Sequence, residues 1–272
     1  SGNVANSGGG IAIYAEHYGA TVSVRDSVIH NNSALVHDGG GVLASMLNFG
    51  VKPASGALKI IDSTVSDNTA PSGEGGGLHV QGSLVDVTIS GSQITNNSTN
   101  DDGGGINIRP LTAAIPTGAR PFADVASVSI IDTTVSGNQA AREGGGAAIY
   151  GTEDVVIESS TISGNSAGRT GGGLYVAEGG QFSITASQIT NNIANGSGGA
   201  GGGLAIEDNN VSTITTTTIS GNTATGYGGG LWVESEDQYL RIADSVISDN
   251  EAGNDGGGIH LYFDDGDADD VG

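Results

Sequence analysis

The sequence predicts an all-β solenoid, a parallel β-helix of about nine coils with three short strands per coil. A phrase of three glycines followed by apolar, variable, apolar recurs nine times, beginning at Gly8, Gly39, Gly75, Gly103, Gly144, Gly171, Gly201, Gly228 and Gly256. The intervals, from 27 to 41 residues, lie in the range that marks a repeat architecture. Short stretches rich in β-branched residues alternate with period 2 between these phrases, as half-buried strands do. Gly supplies 49 of 272 residues and Pro only 5, a periodic usage unlike that of a disordered linker, and Gly does not fall at every third position as in collagen.

Each repeat reads in the same order. The first strand follows the glycines, as in Leu78-His79-Val80 or Leu231-Trp232-Val233, with apolar outer residues around a variable middle one. After a turn of variable length comes a second alternating strand, as in Thr21-Val22-Ser23-Val24. The third segment has the form Ser/Thr-x-Ile/Val-x-x-Asn, as in Ser160 to Asn165, and a small residue, usually Ala, closes the repeat two positions later.

Alignment of the repeats gives columns. One holds Asn3, Asn32, Asn68, Asn97, Asn138, Asn165, Asn192, Asn222 and Asn250; another holds Ser27, Ser63, Ser92, Thr133, Ser160, Ser187, Thr217 and Ser245. A third is apolar, from Ile29 and Val65 to Ile219 and Ile247. The Asn column is expected to form a structural ladder, its amides bonding from coil to coil and its backbone taking the left-handed region at a corner. Coils stack at about 4.8 Å, so nine span roughly 40 Å.

The phrase from Ile219 to Leu231, Ile-Ser-Gly-Asn-x-Ala leading into Gly-Gly-Gly-Leu, resembles the repeats of bacterial polymorphic outer-membrane proteins and related right-handed β-helix surface proteins. Those repeats carry Phe ahead of the Asn and a Gly-Gly-Ala-Ile phrase; here Ile or Val replaces the Phe and a third Gly is usual. The resemblance spans Ser1 to about Phe263. It implies a right-handed solenoid, secreted or displayed at a cell surface. It implies no particular activity, because this fold hosts lyases, hydrolases and adhesins alike.

Thirty acidic against eight basic residues give a formal charge of −22. Such a surface repels nucleic acid and anionic lipid and favours hard cations such as Ca²⁺. Cys is absent, so neither disulfides nor thiolate metal sites enter, and no run of 18 apolar residues exists to span a membrane.

Candidate binding residues fall in two groups. Insertions at 45–56 and 109–123, two coils apart, gather Phe49, Lys52, Arg109, Arg120 and Phe122. Basic and aromatic residues concentrated on loops of an acidic chain point to an anionic glycan or a protein partner. The middle position of the first strand forms an outward column from Ala12 to His260, in which Tyr175, Trp232 and His260 offer a platform for sugar stacking or a protein contact.

The position ahead of the glycines holds Asp38, Glu74, Asp102, Glu143 and Asp255. Stacked carboxylates repel one another unless a cation or water intervenes, which makes this a candidate Ca²⁺ column. Asp265, Asp267 and Asp269, in an acidic tail at 264–272 beyond a repeat domain at 1–263, begin a calcium-loop pattern without its Gly or closing Glu. The five His residues form no metal motif.

These readings converge on an extracellular structural or adhesive solenoid stabilised by Ca²⁺. The alternative is a polysaccharide lyase or hydrolase acting on an acidic glycan beside Arg109 and Arg120, although the polygalacturonase motifs are absent. Ser1-Gly2-Asn3 matches the repeat interior Ser220-Gly221-Asn222. The expectation is therefore a portion of a longer solenoid, or subunits that stack end to end into a filament.

Overall fold

The structure, a computed structural model, describes residues 1–15, 19–46, 56–110, 125–235 and 239–263. Among the described residues there are strands, turns and bends but no α-helix, and no helix long and apolar enough to cross a membrane. All strand pairing is parallel and joins each coil to the next, which is the solenoid the repeats predict.

Each coil contributes to four sheets rather than three. Sheet 1 holds nine strands that follow the glycines, from Ile11–Ala15 to Ile259–Phe263. Sheet 2 holds eight, from Thr21–Arg25 to Tyr239–Ala243, and sheet 3 eight, from Val28–His30 to Val246–Ser248. Sheet 4 is a run of nine two-residue strands, from Val4–Ala5 to Glu251–Ala252. The residue that closes each repeat in the sequence is the inner residue of this fourth strand: Ala34, Ala70, Ala140, Ala167, Ala194 and Ala224 are all buried. A strand of two residues is too short to show alternation, so its sequence reads as the end of the preceding segment.

Inside, like residues stack on like. Ile94, Val135 and Ile162 pair in register and are fully buried, as are Leu174, Leu204 and Leu231 on sheet 1. Such columns keep one unbroken core along the rod, so each coil buries its apolar face only through its neighbours.

The Asn ladder is present and the corner chemistry differs from expectation. Each ladder Asn accepts at Oδ1 from both the backbone N–H and the Nδ2 of the Asn one coil earlier; Asn138 bonds Asn165 this way, both at 3.0 Å. The left-handed residue is not the ladder Asn but the one before it: Asn31, Asp67, Asn96, Gly137, Gly164, Asn191, Gly221 and Asp249. The inward turn of the carboxamide requires ordinary φ at the ladder position, so the preceding residue takes the positive φ. The hydroxyl column forms a second ladder at the preceding corner, with the Ser63 N–H donating to Ser92 Oγ at 3.1 Å and Ser63 Oγ donating to the Ile61 carbonyl at 2.7 Å. Again the residue before it, Asp62, is left-handed, with φ 47°.

The strand Val42–Met46 includes Ser45 and Met46, Gly56 opens the strand Gly56–Ile61, and Arg109 and Pro110 end the strand Ile106–Pro110. Both insertions thus connect sheet 1 to sheet 2. Phe49, Lys52, Arg120 and Phe122 lie outside the described residues, as do Asp265, Asp267 and Asp269.

Candidate functional site

The chemistry of the described residues gathers on the outer side of sheet 1, beside the glycine phrase. The first glycine of each triplet folds back over the middle residue of the strand it precedes. A Cβ added at Gly75 would lie 2.8 Å from His79 Cβ, and one at Gly171 the same distance from Tyr175 Cβ. The same approach occurs at Gly228 over Trp232 and at Gly256 over His260, which are only half-buried, so it does not by itself close the face. The column expected to be open is nevertheless covered along its central coils. Leu43, His79, Asn107, Ala148, Tyr175 and Ala205 are all buried. Tyr175 packs with Ala148, Ala177 and Ala205, its ring 5.3 Å from that of Tyr150, and its hydroxyl donates to Glu207. It is part of a small outer core against which Tyr150 and Trp232 also pack, and is itself buried rather than part of an exposed platform.

Four of the five carboxylates ahead of the glycines stack in consecutive coils and find partners within the protein. Asp38 Oδ1 accepts the Glu74 N–H at 2.8 Å, and Asp102 Oδ1 accepts the Glu143 N–H at 3.2 Å. Arg109 pairs with Glu74 and lies 5.4 Å from the centre of the Tyr150 ring; Tyr150 in turn donates to Glu143 Oε2 at 2.8 Å. Arg142 reaches Asp101 at 2.8 Å and Asp102 at 3.8 Å. Two arginines thus act as counter-ions to the acidic column, and Arg109 is engaged there rather than free to bind an incoming anion. Asp255 stands apart, with Thr170, Ala200 and Tyr227 at the intervening positions.

Burial raises the Glu74 carboxyl, an effect that Arg109 opposes, and burial likewise raises Asp102. His79 sits between Asp38 and Glu74, its Nε2 3.9 Å from Asp38 Oδ2 and its Nδ1 3.7 Å from Glu74 Oε2. Burial, opposed in part by Asp38, pushes its imidazole down to about 4, so it is neutral at pH 7. Asp38, Glu74 and His79 can each present one ligand atom with all three within 4.8 Å of one another. The sequence hid this cluster because His79 is five positions past Glu74 while Asp38 comes from the preceding coil. The available signal was two consecutive polar residues, His79 and Asn107, in a column otherwise held by Ala, Leu, Tyr and Trp until the terminal His260.

Burial also raises Glu207, against the hydrogen bond from Tyr175, with Glu234, Asp208 and Glu143 adding repulsion. A carboxyl whose folded value lies above its ordinary 4.5 destabilises the folded state where it is ionised in both states, and not where it is protonated in both. Glu207→Gln, which keeps an acceptor for Tyr175, is therefore expected to raise the thermal midpoint at pH 7. The advantage shrinks as pH falls through the raised value and is gone below 4.5. Paired melting curves across that range check it.

Toward the later coils the cover opens into a cleft of about 550 Å³, lined by Tyr227, Trp232, Glu234, His260, Tyr262 and Thr170 among others. Tyr227 and His260 stack with centroids 4.9 Å apart and planes at 43°. Trp232 and His260 are adjacent in register on neighbouring strands, and Glu234 is in register with Tyr262. Trp232 and His260 were legible as candidates and line this cleft; Tyr227 and Glu234 were not, since Tyr227 occupies the acidic-column position and Glu234 follows the apolar triplet. A second, acidic cleft of about 470 Å³ lies at the turn from sheet 1 to sheet 2, between Glu153, Glu178, Asp208 and Asn210.

The profile of one family, described as a right-handed beta helix region, matches residues 122–266, more than half of the chain. The chain belongs to the right-handed β-helix family. Neither the curated proteins nor the solved structures include a match. Membership in this β-helix family fixes the coil architecture and does not fix the chemistry.

Proposed function

We propose that this β-helix is a structural and adhesive rod of a cell surface or extracellular space, and that its aromatic cleft holds an uncharged, hydroxyl-rich glycan. The observation that carries the reading is the convergence of Trp232, Tyr227, His260 and Tyr262 on one cleft beside the Glu234 carboxylate. Aromatic faces take the C–H side of a sugar ring, and a carboxylate accepts from its hydroxyls. A formal charge of −22 disfavours an acidic glycan at this cleft. The likeness of the repeat phrase to surface proteins supports the location. Binding is favoured over turnover of an acidic glycan because Arg109, the described cation of that alternative, is committed to Glu74.

The test is retention on immobilised neutral glycans, with pectin and alginate alongside. The intact chain is expected to bind a neutral glycan, and Trp232→Ala to lose at least about tenfold in affinity, as for a buried aromatic anchor. Equal retention of the two proteins, or release of products from pectin or alginate, would contradict the proposal.

A further inference from the structure

The cluster around His79 is unlike the rest of the acidic column. His79 is 1% exposed and Asn107, its register partner on the next coil, is fully buried. Neither ring nitrogen of His79 has a hydrogen-bond partner of ordinary geometry, and neither polar atom of the Asn107 carboxamide has one, although the Gln81 and Asn107 side chains come close enough to His79 to favour its charged form weakly. Four orphaned polar atoms in one buried pair carry a considerable desolvation cost, so such groups call for an unseen partner. The imidazole faces two carboxylate oxygens with no other described hydrogen bond. Asp38 uses Oδ1 for the Glu74 N–H and leaves Oδ2 toward His79; Glu74 uses Oε1 for Arg109 and leaves Oε2.

We propose that Asp38, Glu74 and His79, with Asn107 as a fourth donor, bind one transition-metal dication of the zinc type. An imidazole nitrogen beside two carboxylates suits zinc, cobalt or nickel, whereas Ca²⁺ takes six to eight oxygens. An ion takes one ring nitrogen only, so one edge is the 3.7 or the 3.9 Å separation and the remaining ligand pairs lie within 4.8 Å. These need to close by up to about 1.5 Å to reach the edge of about 3.3 Å implied by bonds of about 2.0–2.1 Å. The Asp38 side chain, 29% exposed, gives a route in from solvent. Arg109 neutralises one of the two carboxylates, so a dication leaves the site with a modest net charge. The role is structural: the ligands come from consecutive coils, and one ion would tie the coils of Asp38, Glu74 and Asn107 together. The inference is independent of the glycan cleft, which lies several coils away.

The experiment uses the full chain stripped with chelator and titrated with Co²⁺ as a spectroscopic stand-in for Zn²⁺. Calorimetry gives stoichiometry, visible absorption reports the coordination, and excess Ca²⁺ is the competitor. One equivalent is expected, with ligand-field bands that Ca²⁺ does not remove and a raised thermal midpoint. Loss of an outer-shell partner alone costs about 10–100-fold in metal affinity, so His79→Gln is expected to lose about 100-fold or more. Asp38→Asn keeps the acceptor for the Glu74 N–H and serves as the second variant should His79→Gln fold poorly; it is expected to weaken binding as well. No Co²⁺ uptake, uptake unchanged in Asp38→Asn, or displacement by Ca²⁺ would each overturn the proposal. In the first case the orphaned atoms are satisfied by buried water.

Discussion

Replacing Asn165 with Leu is expected to destabilise the solenoid by about 3–6 kcal/mol, the sum of three orphaned polar groups at about 1–3 kcal/mol each less relaxation. The Asn165 carboxamide is saturated. Its Oδ1 accepts from the Asn138 backbone N–H and Nδ2, and its Nδ2 donates to Asn192 Oδ1 at 2.9 Å and to the Val135 carbonyl at 3.0 Å. Leu removes all four bonds, and both Asn138 and Asn165 are 1% exposed, so water cannot replace them. With about 2–4 °C per kcal/mol for a chain of this order, the midpoint is expected to fall by about 6–24 °C. Calorimetry checks it; a midpoint within about 2 °C of the parent would rule out a stabilising ladder.

Gly104→Ala is also expected to be destabilising, for a different reason. Its Cβ would stand 2.4 Å from the Gly145 carbonyl oxygen and 2.5 Å from the Gln139 carbonyl. These are backbone atoms of the next coil, fixed by the ladder that joins Gly104 N–H to the Gly144 carbonyl at 3.1 Å. No rotamer change makes room, so the coils must separate at this corner, and overpacking of this kind costs about 1–3 kcal/mol, more where fixed backbone must move. Gly164→Ala is the matched control. Gly164 has φ +63° with nothing within 4 Å of the added Cβ, so only the left-handed penalty of about 1–2 kcal/mol applies. Ala186 already occupies the equivalent conformation at the other corner, with φ 50°. Equal midpoints for the two variants would show that close coil approach is not what the glycines provide.

The solenoid was legible because its interior repeats. Ile94, Val135 and Ile162 recur at one offset, and so do Asn97, Asn138 and Asn165, so alignment alone reveals which side chains stack. What repeats least was least legible. The fourth strand is two residues long, and its inner Ala looks like the close of the preceding segment. The left-handed position varies among Asn, Asp and Gly, so the invariant Asn beside it drew the assignment. The outward column misled for a geometric reason. Alternation says which side of a strand Tyr175 occupies, but not that Ala148, Ala177, Ala205 and the Tyr150 ring pack around it. The sites were half visible. Trp232 and His260 share a column, whereas the links of Arg109 to Glu74 and of His79 to Asp38 join residues 35 and 41 positions apart. A periodic pattern specifies stacking and carries no information on which side chain leans toward a neighbouring column.

The most direct test of the cleft as the contact surface is the fluorescence of Trp232, the single tryptophan of the chain. With no other indole present, any change in tryptophan emission on titration with neutral oligosaccharides reports on this one wall. A saturable shift in emission with the retained glycan, absent with charged oligosaccharides and weakened by Glu234→Gln, is the expected result. A glycan that the rod retains while Trp232 emission stays unchanged would place the contact elsewhere and contradict the proposed function.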